Sequence, residues 1–129
     1  MLKWNPADTP NFSTKEMACK CGKCGGKSEM DPEFMARLQR LRDLLGPLSI
    51  NSGYRCPQHP EEIKKARPGA HSTGHAADIK ANNGAHRFKI LEAAFAVGMK
   101  GIGVANGYIH VDDGHPDPNV SRPTQWKYG

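Results

Sequence analysis

The stretch from Pro68 to Ile79, PGAHSTGHAADI, constrains this chain more than any other. It sets His71 and Asp78 seven residues apart, with Gly74 between them, in a segment too polar for an ordinary core strand. On one strand an odd separation points two side chains to opposite faces of the sheet. They converge only if the backbone breaks between them, and Gly74 is the residue that permits such a break. A third donor stands at His110, in the run from Tyr108 to Asp112. Imidazole nitrogen and carboxylate oxygen suit Zn(II), whose catalytic sites take three protein ligands and keep a fourth position open.

A length of 129 residues fits one domain with one core. We read residues 1–129 as a single domain whose first 30 residues form an arm with a cysteine cluster. Ten prolines and fourteen glycines beside a 37% hydrophobic content predict a loop-rich protein with a modest core. No apolar run approaches the roughly 20 residues that span a bilayer, so no membrane association is expected. The opening Met1 to Pro6 lacks the apolar centre of a signal peptide, which predicts synthesis and retention in the cytoplasm unless another export route exists. A formal charge of +5 favours anionic surfaces. The basic residues are scattered over Lys20 to Lys27, Arg37 to Arg42 and Lys64 to Arg67, which reads as a solvated surface rather than a nucleic-acid face. A monomer is expected.

Along the chain, Trp4, Phe12 and Met17 anchor an extended arm, with a short helical turn starting near Asn11 to Glu16. Cys19, Cys21 and Cys24 follow among glycines, and Cys56 is the fourth cysteine. Three readings stay open for them: a closed tetrahedral zinc site, one or two disulfides, or free thiols. A helix is predicted from Asp31 as N-cap and Pro32 at the first position, with a stripe of Phe34, Leu38, Leu41 and Leu45, ended by Gly46-Pro47. Leu48 to Ser52 alternates like a half-buried strand and delivers Arg55 just past its end, as an aimed guanidinium or a surface ion pair. After a turn with a structural His59, Glu61 to Arg67 reads as a short, charged, exposed helix or loop.

Ala76 to Lys80 is a predicted strand, with Asp78 on one face and Ala77 and Ile79 on the other. Asn82 or Asn83 caps a second helix over about 84–97, with a predicted buried stripe of Phe88, Leu91, Ala94 and Phe95 and an exposed His86. Lys100 to Asp112 reads as a hairpin with a type I′ turn at Asn106-Gly107, placing Tyr108, His110 and Asp112 on one face. The proline-rich tail is expected to be irregular, with Trp126 packing back on the domain. The whole is an α+β protein: a small antiparallel sheet, helices packed on one face, and the metal on the other.

Three ordered motifs, Ser52-Gly53-Tyr54-Arg55, His71-x-x-Gly74-x-Ala76-x-Asp78 and His110-Val111-Asp112, resemble the zinc D-Ala-D-Ala peptidases and peptidoglycan endopeptidases. The resemblance runs from Asn11 to Trp126 and implies the hedgehog/DD-peptidase-like fold. It implies His71, Asp78 and His110 as zinc ligands, and Arg55 as a contact to substrate or developing negative charge. The implied activity is a zinc metallopeptidase acting on peptidoglycan stem peptides, as a D,D-carboxypeptidase or endopeptidase, reaching the cell wall through phage lysis or a virion.

Many relatives carry an acidic residue three before the last histidine, or a histidine two before it, to move the proton that peptide hydrolysis requires. Gly107 and Tyr108 stand there in this chain, and Gly69 replaces the family's serine two before the first histidine. Asp112 is the best remaining base; its rival role is to orient His110 through the other ring nitrogen. Asp113, His75 and Tyr108 follow as further candidates. A non-catalytic zinc module for wall binding or virion structure is the alternative reading. A zinc module for nucleic acid leaves Ser52 to Arg55 and His71 to Asp78 unexplained.

Overall fold

The computed structural model describes residues 3–65 and 69–128; Arg67 and Pro68 lie outside the described residues. Helix α1 (Thr14–Met17) opens on a capping box in which the Ser13 hydroxyl accepts the Glu16 amide and the Glu16 carboxylate accepts the Ser13 amide. Helix α2 (Pro32–Leu45) begins as expected, with the Asp31 carboxylate accepting the Phe34 amide at 2.9 Å, and stops at Gly46 with φ 95°. Strand β1 (Ile50–Ser52) and the one-turn helix α3 (Pro60–Ile63) follow. His59 is structural, as expected: its Nδ1 accepts the Glu61 amide at the head of α3. Strand β2 (Ala76–Lys80), helix α4 (Gly84–Ala96), and strands β3 (Gly101–Val104), β4 (Tyr108–Asp112) and β5 (Thr124–Lys127) complete the elements.

The described strands form one five-stranded sheet in the order β1-β2-β4-β3-β5, antiparallel except for the parallel pair β3/β5. Ala77, Ile79, Ile102, Ile109 and Val111 on one face of the sheet share a buried cluster with Phe34, Met35, Leu38 and Leu41 of α2 and Ile90, Ala93 and Ala94 of α4. Arg37 of α2 binds the Val97 and Gly98 carbonyls at the end of α4, a cation placed where a helix leaves unpaired acceptors.

Five expectations are corrected. Helix α4 buries Ala94 as expected, but together with Ile90 and Ala93, while Phe88 and Phe95 are 66% and 58% exposed. Both sets recur at helical spacing, and the alanines let the helix approach its neighbours more closely than two phenylalanines would. His86 is half-buried, its Nδ1 accepting the Asn82 amide. The β3–β4 turn is not type I′, because neither Asn106 nor Gly107 has the positive φ that turn requires. The tail is not irregular throughout: Thr124 to Lys127 pairs with β3, so the sheet is mostly rather than wholly antiparallel. In α3, Glu62 is 6% exposed instead of solvated, because Lys65, Ser72 and the Gly69 amide converge on its carboxylate.

Candidate metal centre

His71 lies on a single 3-10 turn (Ala70–Thr73) that ends at Gly74 with φ 77°, in the left-handed region. A side chain there would also collide with the backbone of Glu29 to Asp31, which packs against the turn and donates the Asp31 amide to the Gly74 carbonyl. The break expected between His71 and Asp78 is therefore present, and it swings His71 over the open face of β2. Sheet register supplies the rest. Ser52, Asp78, His110, Gly103 and Trp126 are successive cross-strand partners, so one row across five strands carries Asp78 and His110 side by side.

Asp78 Oδ1 is 3.3 Å from His71 Nε2 and 3.3 Å from His110 Nδ1. It is buried and has no hydrogen-bond partner among the described residues. The other atoms of the three groups are held from outside. His71 Nδ1 lies 2.8 Å from the Gly53 carbonyl, which can only accept, so its proton is on Nδ1 and Nε2 presents a lone pair. His110 Nε2 is 2.6 Å from Asp112 Oδ2, which leaves Nδ1 facing Asp78. Asp78 Oδ2 accepts from Arg55 Nη2 at 3.0 Å, while Arg55 Nε donates to Ser52 Oγ at 3.1 Å. Two ring nitrogens and one carboxylate oxygen thus face one another, each lacking a proton between them, which is the donor set of a catalytic zinc. His71, Asp78 and His110 fit that ion: a buried, unbonded carboxylate oxygen is otherwise hard to account for.

The electrostatics agree at Asp78 and His71 and oppose at His110. Burial pushes the Asp78 carboxyl up, but the His110 and His71 rings outweigh it and hold the group well below the usual carboxylate range. Burial pushes the His71 imidazole down, towards the neutral form a metal needs. For His110 burial acts the same way, but the hydrogen bonds to Asp112 and Asp78 reverse it and raise the ring.

Asp112, expected as the first candidate base, is 0% exposed. Arg122 donates to both of its oxygens at 2.9 Å, and its Oδ1 also accepts the Gly114 amide. That carboxylate has no lone pair turned to the cleft, so the geometry favours its rival role of orienting His110. His75 and Asp113 pair with each other at 2.7 Å beside Asp31, away from the cleft wall. Arg55 and Tyr108 do line the cleft, a cavity of about 640 Å³ that also meets Lys65, His115, Trp126 and Tyr128.

Sequence reasoning missed Arg122 and two glycines. A side chain at Gly101 would strike the Asp112–Arg122 pair, and one at Gly103 would come within 2.6 Å of the Trp126 indole nitrogen. The alternation Gly-Ile-Gly-Val was the available signal: β3 gives its apolar residues to the core and nothing but hydrogen to the site face. Trp126, whose ring lies 5.1 Å from that of His110, occupies the space so left. The four cysteines, free in the structure, bring their sulfurs within 4.8 Å of one another, and Cys56 directly follows Arg55.

A family model described as Peptidase M15 matches residues 10–112, most of the chain and every residue of the donor triad. The chain belongs to the peptidase M15 family. M15 is a zinc-dependent, D-Ala-D-Ala carboxypeptidase-type family, so a peptidase with candidate zinc ligands at His71, Asp78 and His110 is what family and geometry jointly support. The M15 match ends at Asp112 and leaves Arg122 and Trp126 outside it. No match was found among curated proteins. No helix among the described residues is long and apolar enough to cross a membrane.

Proposed function

We propose that this M15 protein is a zinc metallopeptidase that hydrolyses peptide bonds of peptidoglycan stem peptides, as a D,D-carboxypeptidase or endopeptidase. The observation that carries the reading is the unbonded Asp78 Oδ1 set between two imidazole nitrogens at the floor of an open cleft. His71 Nε2, Asp78 Oδ1 and His110 Nδ1 are the ligands. Zinc bound there supplies Lewis acidity, acidifying water and polarising a scissile carbonyl.

The chain's own groups do the remaining tasks. Gly53 and Asp112 hold the two imidazoles in the ligating tautomer. Arg55 restrains Asp78 by its outer oxygen and, with Nε on Ser52 and Nη1 3.8 Å from Glu62, lends its positive charge on the cleft wall to a substrate carboxylate or to developing negative charge. The cleft also supplies a hydrogen-bond donor. His115 lines it, is not a ligand, and accepts the Asp117 amide at Nδ1, so the neutral ring carries its proton on Nε2. Burial keeps His115 below its usual pKa, so the ring stays neutral and its Nε2–H can donate a hydrogen bond to a substrate oxygen that gains negative charge.

The fold expected of the family, hedgehog/DD-peptidase-like, is consistent with this arrangement. A monomer acting on the wall after phage lysis or from a virion, with neither membrane nor nucleic acid as partner, completes the proposal. The test is release of new amine termini from isolated cell walls by the zinc-loaded protein. His71→Ala and Asp78→Ala are each expected to lose the metal and the activity; activity surviving both changes would overturn the assignment. The commitment of Asp112 to Arg122 favours one other reading, a zinc-containing wall-binding module without catalysis. Tight wall binding with amine release no faster than free zinc would establish it instead.

A further inference from the structure

Between Cys19 and Met30 the chain offers only cysteine, glycine, lysine, serine and glutamate, so no other apolar side chain is present to give that loop a packed interior. Yet it is folded around four sulfurs. Cys19 and Cys56 are buried, Cys21 and Cys24 half-buried, and all four Sγ atoms lie within 4.8 Å of one another. Four sulfurs on a tetrahedral zinc at about 2.3 Å are spaced by about 3.8 Å, and Cys21 Sγ and Cys56 Sγ stand 3.4 Å apart. Disulfides would draw the sulfurs into bonded pairs; here all four converge on one point.

Two further features belong to a thiolate cluster. The Lys23 amide points at Cys21 Sγ and the Cys56 amide at Cys19 Sγ, each at 3.3 Å, donors that favour charge on sulfur. Gly22 and Gly25, each directly after a cysteine, take positive φ and turn the chain back on itself. Lys20, Lys23 and Lys27 in the same loop offset the net negative charge that four thiolates and one divalent ion would carry.

We infer that Cys19, Cys21, Cys24 and Cys56 bind a second, structural Zn(II), which staples the N-terminal arm to the segment carrying Arg55. That segment is shared by the two clusters. Cys56 follows Arg55 directly, the Tyr54 amide donates to the Met17 carbonyl, and the Gly53 carbonyl holds His71. A side chain at Gly53 would meet Met17 backbone at 2.9 Å, so the arm is seated without a gap. The inference stands on the cysteines alone and does not depend on the peptidase reading.

Metal analysis of the zinc-loaded full chain tests it. Two equivalents of zinc per chain are expected, one lost by His71→Ala and the other by Cys21→Ser. Cobalt substitution is expected to give thiolate-to-metal charge-transfer absorption that persists in His71→Ala and vanishes in Cys21→Ser. If Cys21→Ser does not fold, titration of the His71→Ala protein with a mercurial is expected to release its one remaining equivalent of zinc to a chromogenic chelator. A single equivalent that Cys21→Ser retains and His71→Ala abolishes would refute the site. So would four rapidly reactive thiols in the zinc-loaded protein, or iron taken up at the sulfurs in preference to zinc.

Discussion

Replacing Asp112 by asparagine separates its two candidate roles. The carboxylate is 0% exposed and the Arg122 side chain 14%, so the change leaves a largely desolvated guanidinium with a neutral partner. Breaking a buried pair costs about 3–5 kcal/mol; the amide keeps one accepting oxygen, which places Asp112→Asn at about 3 kcal/mol. Net stability of a domain is about 5–15 kcal/mol, so the variant stays folded and can be assayed. His110 loses its charged anchor at Nε2, and loss of such an outer partner weakens metal binding about 10- to 100-fold, or ~1.4–2.7 kcal/mol. Chelator competition should therefore show weaker zinc binding, urea unfolding a lowered midpoint, and wall hydrolysis a kcat that recovers at saturating zinc. Adding Arg122→Met should restore much of the lost stability without restoring zinc affinity. A kcat that collapses at saturating zinc while zinc affinity stays unchanged would refute this account and return Asp112 to the role of base.

Three further outcomes follow from the same geometry. Gly101→Ala should destabilise by about 1–3 kcal/mol, as overpacking does, and by more than Gly103→Ala, because its new methyl meets a buried ion pair rather than partly exposed rings; thermal unfolding of both variants decides it. Ile90→Ala should cost about 2–5 kcal/mol, whereas Phe88→Ala should change stability by less than about 0.5 kcal/mol, the reverse of what the predicted stripe implies. The hydrogen bond to Asp113 raises the His75 pKa despite partial burial, so the pair's contribution is complete below the unfolded histidine value and is lost as pH rises through the folded one. A ring titration by NMR should show that elevation, and Asp113→Asn should reduce it along with the decline in stability across that window, leaving the weaker pull of Asp31.

The donor triad was legible because its constraint is local. An odd spacing interrupted by glycine reports a broken strand, and Gly74 stands in the left-handed conformation that the break demands. Helix α2 was legible for a similar reason, since Asp31, Pro32 and Gly46 mark its ends with residues whose backbone roles leave little choice. Helix α4 offered no such asymmetry. Phe88, Leu91 and Phe95 form one apolar face and Ile90, Ala93 and Ala94 another, and only the surface beneath decides which is buried. Arg122 and Glu62 were hidden because no helix or strand period points to their partners, such as Asp112 ten residues before Arg122 and Ser72 ten residues after Glu62: a charged side chain reads as solvated until its counter-charge is located. The role of Asp112 turns on Arg122, so one missed arginine was enough to leave its two candidate roles evenly matched.

The row from Ser52 to Trp126 also bears on how the molecule avoids folding wrongly. If β2 slid by a single position against β4, Asp78 would turn inward to the apolar cluster and Ala77 and Ile79 would turn out to water, while His110 kept its face. No partial error of this kind is available, because the strand offset that seals the oily side is the same one that assembles the ion's seat. A chain that takes up the proposed ion at His71, Asp78 and His110 has therefore aligned β2 on β4.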